Sequence, residues 1–207
     1  MVQIKIGVLA IQGAVSEHVE AVNMALKESN LEGNAIIVKS PSELDEIQGL
    51  IIPGGESTTI GRVSKDRNLF DNIIKMANDG IPILGTCAGA ILLAKEVTDA
   101  KTGMSNQPIL SLMDIKVLRN SFGRQRESFE HEIEIPALGK KLFPGVFIRA
   151  PIVEKVWNDA EVLAKYGDKI VAAQQGNLLV TSFHPELTQD RRLHQYFIKL
   201  ALHSSFV

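Results

Sequence analysis

The sequence lacks several features that would point to particular classes of protein. Its single cysteine, Cys87, cannot form an internal disulfide, and the N-terminus lacks the charged-then-apolar layout of a signal peptide. The longest apolar runs have the length of strands, well short of the roughly 20 residues that span a bilayer. The formal net charge is −2, and no run of like charges marks a surface for nucleic acid or membrane. These absences predict a cytoplasmic protein with neither a nucleic-acid nor a membrane partner.

Ligand-spaced clusters of cysteine, histidine and carboxylate residues are also missing, so we expect no metal site. Neither an internal repeat nor a low-complexity segment interrupts the chain. Its 207 residues are 45% hydrophobic, which is ample for one packed core. We therefore expect a single domain over residues 1–207.

The first half of the chain alternates strand-like and helix-like segments. Apolar runs at residues 5–10, 35–39 and 49–52 predict strands, and apolar residues at helical spacing from Val15 to about Ser29 predict an amphipathic helix. A short helical turn is expected over residues 43–47, and a largely helical stretch runs to about Asp79. This order predicts an α/β fold, with a doubly wound, mostly parallel sheet flanked by helices and a ligand crevice at the carboxyl ends of the strands.

The second half of the chain predicts an antiparallel extension of that sheet. Residues 98–108 are polar and loop-like, and short alternating segments follow at 115–118, 129–135, 146–148 and 162–163. Two apolar runs, 169–174 and 178–183, flank Gln175-Gly176-Asn177, which is a hairpin signal. Residues 191–203 are expected to form a C-terminal helix.

A short apolar strand over residues 83–86 leads directly into Cys87 and then into a helix that begins at Ala88. The Gly85-x-Cys87-x-Gly89 spacing is typical of a nucleophile elbow, where small neighbours allow strained backbone angles that project the side chain from the sheet. The positive end of the helix dipole favours thiolate over thiol. A lone cysteine is more often an inert small hydrophobe than a nucleophile. The interpretation of Cys87 as a nucleophile therefore depends on whether the chain also supplies a base, an orienting group and an oxyanion site.

His184-Pro185-Glu186 follows the last predicted strand and could supply the base and its orienting group. In extended chain, residues two apart point to the same side, so Glu186 can hold the His184 imidazole. An imidazole titrates near neutral pH and could take the proton from Cys87. The other histidines have no nearby orienting motif, and we expect none of them to be catalytic: His18, His131, His194 and His203.

Two backbone groups are candidates for stabilising an oxyanion. One is the N–H of Ala88, the residue after the nucleophile, and the other is the N–H of Gly55. Glycine can rotate its peptide toward a ligand at little steric cost. An ordinary tight turn at Pro53-Gly54-Gly55 explains the same residues equally well.

Three of these motifs together resemble the class I glutamine amidotransferases, whose triad is Cys-His-Glu. The motifs are Gly85-Thr86-Cys87-Ala88-Gly89, Pro53-Gly54-Gly55-Glu56-Ser57-Thr58 and Ser182-Phe183-His184-Pro185-Glu186. Three more resemble the glutaminase subunits of pyridoxal 5′-phosphate synthase: Gly7-Val8-Leu9-Ala10-Ile11-Gln12-Gly13, Arg119-Asn120-Ser121-Phe122-Gly123-Arg124-Gln125 and Val146-Phe147-Ile148-Arg149-Ala150-Pro151. The resemblance covers nearly the whole chain, although residues 101–107 match no motif.

The resemblance implies hydrolysis of L-glutamine to L-glutamate and ammonia. Cys87 would form a glutamyl thioester, His184 would act as base and then acid, and Glu186 would orient His184. A guanidinium suits such a substrate, because it can bind the α-carboxylate or brace an acidic pocket wall. The resemblance carries over these substrate contacts: Gly55, Glu56, Ser57, Arg119, Ile148 and Arg149.

The same resemblance implies a hetero-oligomer in which the ammonia passes to a separate (β/α)₈-barrel synthase subunit. That subunit builds pyridoxal 5′-phosphate, so the coenzyme is a product and no cofactor is expected on this chain. Two alternatives remain open at this point. One is the glutaminase subunit of imidazole glycerol phosphate synthase, and the other is a non-enzymatic binding protein on the same fold.

Overall fold

The computed structural model of the protein describes residues 3–121 and 128–204. Its first half alternates strands and helices as predicted. The elements are β1 (Ile4–Leu9), α1 (Val15–Glu28), β2 (Gly33–Val38), α2 (Pro41–Leu44), β3 (Gly49–Ile52), α3 (Ser57–Asp66), α4 (Leu69–Asn78), β4 (Ile83–Thr86) and α5 (Ala88–Leu93).

The second half consists mostly of strands and ends in a helix. Its elements are β5 (Ala94–Asp99), β6 (Gly103–Met104), β7 (Met113–Arg119), β8 (Ser128–Ile133), β9 (Phe143–Ile148), β10 (Ile152–Val156), β11 (Glu161–Tyr166), β12 (Lys169–Gln175), β13 (Leu178–Thr181) and α6 (Arg192–Ser204). Short 3-10 turns form at Pro136–Leu138 and Pro185–Leu187.

One large sheet has the strand order β2-β1-β3-β4-β13-β12-β10-β7-β5-β6, with β11 paired to β12. The five strands from β2 to β13 are mutually parallel. The pairs β13–β12, β12–β10 and β10–β7 are antiparallel, whereas β7 and β5 are parallel. A separate ribbon is formed by β8 and β9. The predicted fold class, a doubly wound sheet with an antiparallel extension, is confirmed.

The parallel strands carry apolar side chains on both faces, as strands covered on both sides must. On one face, Leu50 and Ile52 pack in a cluster with residues of α3, α4 and α5. On the other face, Ile6 and Ile51 pack with residues of α1, α6 and the β8–β9 ribbon. The carboxyl ends of β3, β4 and β13 meet at one edge of this buried layer, since Ile52 pairs with Gly85.

Several predicted boundaries and elements differ from the structure. The helical stretch toward Asp79 is two helices, because Asn68 takes a left-handed conformation with φ of 57° that Asn tolerates and that helices do not propagate. The short helix α2 spans Pro41–Leu44 and ends before Ile47, where the predicted turn was to end. The strand β5 was missed because Lys95 and Glu96 are exposed and polar, and β10 was missed altogether.

Candidate active site

Cys87 lies between β4 and α5 in a strained backbone conformation, with φ of 49° and ψ of −99°. Its N–H donates to the carbonyl of Thr181 at 2.8 Å, which ties the elbow to β13. A β-carbon on Gly85 would lie 2.6 Å from the backbone of Gly89, and one on Gly89 would overlap the carbonyl of Ile52. The flanking glycines therefore let α5 pack directly on the sheet while Cys87 occupies the turn.

His184 and Glu186 follow β13 at the same edge of the sheet. The segment is not extended as predicted, because Pro185–Leu187 form a 3-10 turn. Glu186 nevertheless reaches its neighbour, and Glu186 Oε1 lies 2.7 Å from His184 Nδ1. The N–H of His184 donates to the carbonyl of Val146 at 2.8 Å, so β9 also holds the imidazole in position.

Hydrogen bonds within this group decide its charge state. Burial lowers the pKa of His184, but hydrogen bonds to Cys87 and Glu186 outweigh burial and raise that pKa to about 10. Burial raises the pKa of Glu186, while His18 and His184 outweigh this effect and lower it. The raised pKa favours the protonated imidazole at neutral pH.

Two histidines that the sequence analysis set aside lie directly behind the triad. His18 and His194 are both fully buried, and His18 Nδ1 lies 3.2 Å from His194 Nε2. His18 Nε2 lies 3.3 Å from Glu186 Oε2 and 3.1 Å from Thr86 Oγ1. The sequence signal was weak, because a histidine on the buried face of an amphipathic helix is usually part of the core.

The loop after β3 packs against the same group. The N–H of Gly54 donates to Thr86 Oγ1 at 3.0 Å, and the carbonyl of Gly54 accepts from the N–H of Ala14 at 3.3 Å. A β-carbon on Gly54 would overlap His184 Cε1 and would lie 3.3 Å from Cys87 Cβ. A glycine is required at residue 54 by this close approach.

Both candidate oxyanion donors border the elbow. Ala88 is the first residue of α5, where the backbone N–H groups of a helix have no intrahelical acceptor. Gly55 lines the same cavity as Cys87. Gly55 is held from behind by the loop after β1, where Gln12 Oε1 accepts the N–H of Glu56 at 2.9 Å.

A cavity of about 460 Å³ opens above these groups, within the usual size of small-molecule sites. Among the residues that line it are all six predicted substrate contacts together with Cys87 and His184: Gly55, Glu56, Ser57, Cys87, Arg119, Ile148, Arg149 and His184. The carbonyl of Ile148 lies 3.9 Å from Cys87 Sγ. Arg149 is exposed and has a φ of 43°, a strained value of the kind that clusters at functional sites.

Arg119 is braced by side chains on one wall of the cavity. Its Nη2 lies 3.3 Å from Glu56 Oε1, and its Nη1 donates to Gln107 Oε1 at 2.7 Å. Gln107 Oε1 also accepts from Ser57 Oγ at 2.9 Å and from Thr58 Oγ1 at 3.3 Å. Gln107 thus joins the start of α3 to the end of β7, although no sequence motif marks residues 101–107.

The motif at Arg119-Asn120-Ser121 is only partly described, since its continuation at residues 122–125 lies outside the described residues. Within the described ranges, no group of three or more His, Cys, Asp and Glu residues has a metal-binding arrangement. In the same part of the chain, every helix is too short or too polar to cross a membrane.

Comparisons with known proteins agree on one family. The model of the SNO glutamine amidotransferase family matches residues 8–203. A relative from Sulfolobus acidocaldarius named pyridoxal 5′-phosphate synthase subunit PdxT is 48% identical, covering 94% of this chain and 97% of its own. Another of that name from Pelotomaculum thermopropionicum is 49% identical, covering 94% of both chains. A crystal structure of a glutamine amidotransferase has a TM-score of 0.84 and 46% identity, covering 95% of this chain and 98% of its own.

Proposed function

The chain belongs to the SNO glutamine amidotransferase family, and we infer that it hydrolyses L-glutamine as the glutaminase subunit of a pyridoxal 5′-phosphate synthase. The observation that carries this proposal is the convergence of Cys87, His184 and Glu186 at one end of a cavity of suitable size. The name shared by the relatives favours this pathway over imidazole glycerol phosphate synthesis. The complete triad argues against a non-enzymatic binding protein.

The first half of the reaction begins from the ion pair of Cys87 and His184. The Cys87 thiolate attacks the side-chain carboxamide carbon of glutamine, and the carbonyl oxygen becomes an oxyanion. The N–H groups of Ala88 and Gly55 are the donors proposed for that charge, each worth about 3 to 4 kcal/mol in a closed site. His184, already protonated, gives its proton to the leaving nitrogen, so that ammonia departs and the glutamyl thioester remains.

The second half consumes water. His184, now neutral, takes a proton from a water molecule, and the resulting hydroxide attacks the thioester carbon. Collapse of this second tetrahedral intermediate expels the Cys87 thiolate and releases glutamate. Glu186 stabilises the imidazolium in both halves without changing its own protonation state.

The α-amino acid end of glutamine is proposed to bind between the Glu56–Arg119 wall and the Ile148-Arg149 segment. The carboxylate of Glu56 suits the α-ammonium group, and a guanidinium suits the α-carboxylate. Because Arg119 is held by Glu56 and Gln107, Arg149 is the cation with the freer side chain. Ser57 completes the contacts at the start of α3.

The ammonia is proposed to pass to a separate (β/α)₈-barrel synthase subunit in a hetero-oligomer. Pyridoxal 5′-phosphate is then the product of the complex, and this chain uses no cofactor of its own. We place the complex in the cytoplasm and treat residues 1–207 as one glutaminase domain.

The test is to mix the chain with its candidate barrel synthase and to measure glutamine-dependent formation of pyridoxal 5′-phosphate. We expect the coenzyme to form with glutamine and expect Cys87→Ala to abolish that route, while added ammonium salts bypass it. Failure of glutamine to support synthesis, with ammonium still effective, would refute the glutaminase role. A glutamine-analogue electrophile should also label Cys87, detected as a mass increase of the intact chain.

A further inference from the structure

We propose that His18 is a positioning residue of the candidate active site. Its Nε2–H is shared between Glu186 and Thr86, and His18 thereby orients the triad carboxylate and the loop before α3 together. The inference rests on the proposed function where it concerns the reaction. The contacts of His18 with its neighbours depend on the geometry alone.

The need for a donor comes from the second oxygen of Glu186. Oε1 is paired with His184, whereas Oε2 is buried and accepts no well-aligned hydrogen bond among the described residues. A buried carboxylate oxygen without a donor is costly. His18 Nε2 lies 3.3 Å from this oxygen and 3.1 Å from Thr86 Oγ1, with which it is the better aligned.

The tautomers of the two rings follow from placing the hydrogen of each ring on Nδ1 and on Nε2 in turn. If His18 is protonated on Nδ1, its Nε2 lone pair faces the anionic Oε2, and His194 must keep an unpaired buried N–H at its own Nδ1. If His18 is protonated on Nε2, that hydrogen meets the carboxylate, and its Nδ1 accepts from His194 Nε2. The second arrangement supplies a donor to the anionic Oε2 and leaves no imidazole N–H of this pair unpaired, so we assign the hydrogen of His18 to Nε2.

Both rings are neutral donors rather than cations. Burial lowers the pKa of His18, against an opposing effect of Glu186, and burial together with His18 lowers the pKa of His194 to about 3. The other charged groups that act on this pair are His184 and Glu17 for His18, and Arg191 for His194. His194 therefore donates a hydrogen bond to His18, and His18 donates in turn toward the carboxylate of Glu186.

Thr86 extends the same network to the backbone loop. Its hydroxyl oxygen accepts the N–H of Gly54 at 3.0 Å and lies 3.1 Å from His18 Nε2. Gly54 in turn packs against the imidazole of His184. One buried ring thus lies beside the Glu186 carboxylate and is connected to the glycine loop through Thr86.

The experiment measures the rate at which iodoacetamide alkylates Cys87 in the purified chain as a function of pH, followed by intact mass. Four variants are compared: His18→Gln, which can place an amide donor near the Nε2 position, His18→Asn and His18→Leu, which cannot, and His203→Gln as an exposed control on α6. Circular dichroism establishes that each variant is folded. The assay does not require glutamine, so it remains informative if the proposed reaction is wrong.

We expect His18→Leu and His18→Asn to slow alkylation at pH 7 on the order of tenfold, the effect of losing one hydrogen bond to a charged group. Without its donor, Glu186 is harder to ionise and stabilises the imidazolium less, so the thiolate population falls and the profile moves to higher pH. His18→Gln should stay within about threefold of the parent protein, and in complex with the synthase it should retain most of kcat with an unchanged KM.

The proposal is overturned if folded His18→Leu has the parent profile, or if His18→Gln is slowed as much as His18→Asn, which would indicate a packing role. If His18→Leu does not fold, the comparison of the glutamine and asparagine variants decides the matter in the same way. A parent chain that fails to hydrolyse glutamine, yet shows this order of alkylation rates, would refute the proposed function alone.

Discussion

Cys87 combines a strained backbone with a position between a buried strand and a helix, and each feature serves reactivity rather than packing. Replacement by Ala or Ser should lower glutamine hydrolysis at least on the order of 10³-fold in the presence of the synthase, because no other nucleophile replaces the thiolate. The free energy of unfolding should change by no more than about 1 kcal/mol. Near-normal hydrolysis by either variant would rule out the nucleophile assignment.

His184 and Glu186 should differ in the cost of their removal. His184 transfers the proton, whereas Glu186 orients and charges the ring, so His184→Gln should lower kcat more than Glu186→Gln does. Steady-state kinetics of both variants with the synthase present check the order. Equal residual rates would contradict separate roles.

Substitutions of Arg119 and Gln107 test, with effects of different size, whether the Glu56–Arg119 wall of the cavity binds glutamine. Arg119→Ala should lower kcat/KM for glutamine on the order of 10²-fold through lost charge-assisted hydrogen bonds. Gln107→Leu leaves the guanidinium in place but removes one of its anchors, so KM should rise roughly tenfold while kcat changes little. Lys116→Ala is the matched control, since Lys116 lies on the same strand and pairs with Glu154 at 3.0 Å. Unchanged kinetics in both test variants would show that this wall does not bind glutamine.

At the scale of single elements, the loop after β3 is the segment where we expect substitutions to be least tolerated. Gly54→Ala would push a methyl group into the His184 ring, and we expect activity to be lost although the protein folds. Gly176→Ala provides the contrast: its methyl would meet nothing within 4 Å, but its φ of 55° is unfavourable for alanine. That variant should lose about 1 kcal/mol of stability and no activity. Active Gly54→Ala would mean that the loop lies farther from His184 in the working enzyme.

The same loop suggests regulation by the partner. Among the residues that the structure describes, the one donor recorded for the carbonyl of Gly54 is the N–H of Ala14 at 3.3 Å, and the Gly54–Gly55 peptide has no side chain to lock it. We expect the isolated chain to be a poor glutaminase that the synthase activates, because ammonia released without an acceptor wastes glutamine. Each tenfold of activation requires about 1.4 kcal/mol of differential contact. Glutamate production at saturating glutamine, with and without the synthase, checks this, and equal rates would refute it.

At the scale of the whole molecule, the buried histidines make stability depend on pH. The pKa of His18 and that of His194 are both lowered by folding, the latter from 6.5 to about 3. Below pH 6.5 the unfolded chain therefore binds protons that the folded chain excludes, and stability falls as the pH falls toward 3. His184 adds no slope in this window, because its pKa is raised and it is protonated in both states below 6.5.

His194, whose pKa falls to about 3, should cost about 2 kcal/mol of unfolding free energy between pH 6.5 and pH 4.5, and His18 should act in the same direction. Urea unfolding at a series of pH values measures the slope. His194→Leu should flatten the slope, and His203→Gln, an exposed substitution on the same helix, should leave it unchanged. A flat profile for the parent chain would mean that the rings are protonated in the folded state.

Local pattern was sufficient to predict most elements and to select the three residues proposed as the triad. The strand–helix alternation, the hairpin at Gly176-Asn177 and the elbow at Cys87 depend on residues adjacent in the chain, and each was predicted. The exceptions were elements whose stability comes from distant neighbours. The polar strand β5 is held by its parallel pairing with β7, and the break at Asn68 lets α4 bury Leu69 and Ile73.

By itself, the sequence determined which chemical groups the protein carries and on which strand ends they lie, because elbow, hairpin and His-Pro-Glu signals are short-range. Only the tertiary structure decided which groups support them. His18 and Gln107 lie 168 and 12 residues from their partners Glu186 and Arg119, and no local periodicity marks either contact. The charge state of His184 was likewise decided in three dimensions, because burial and two hydrogen bonds act on it together.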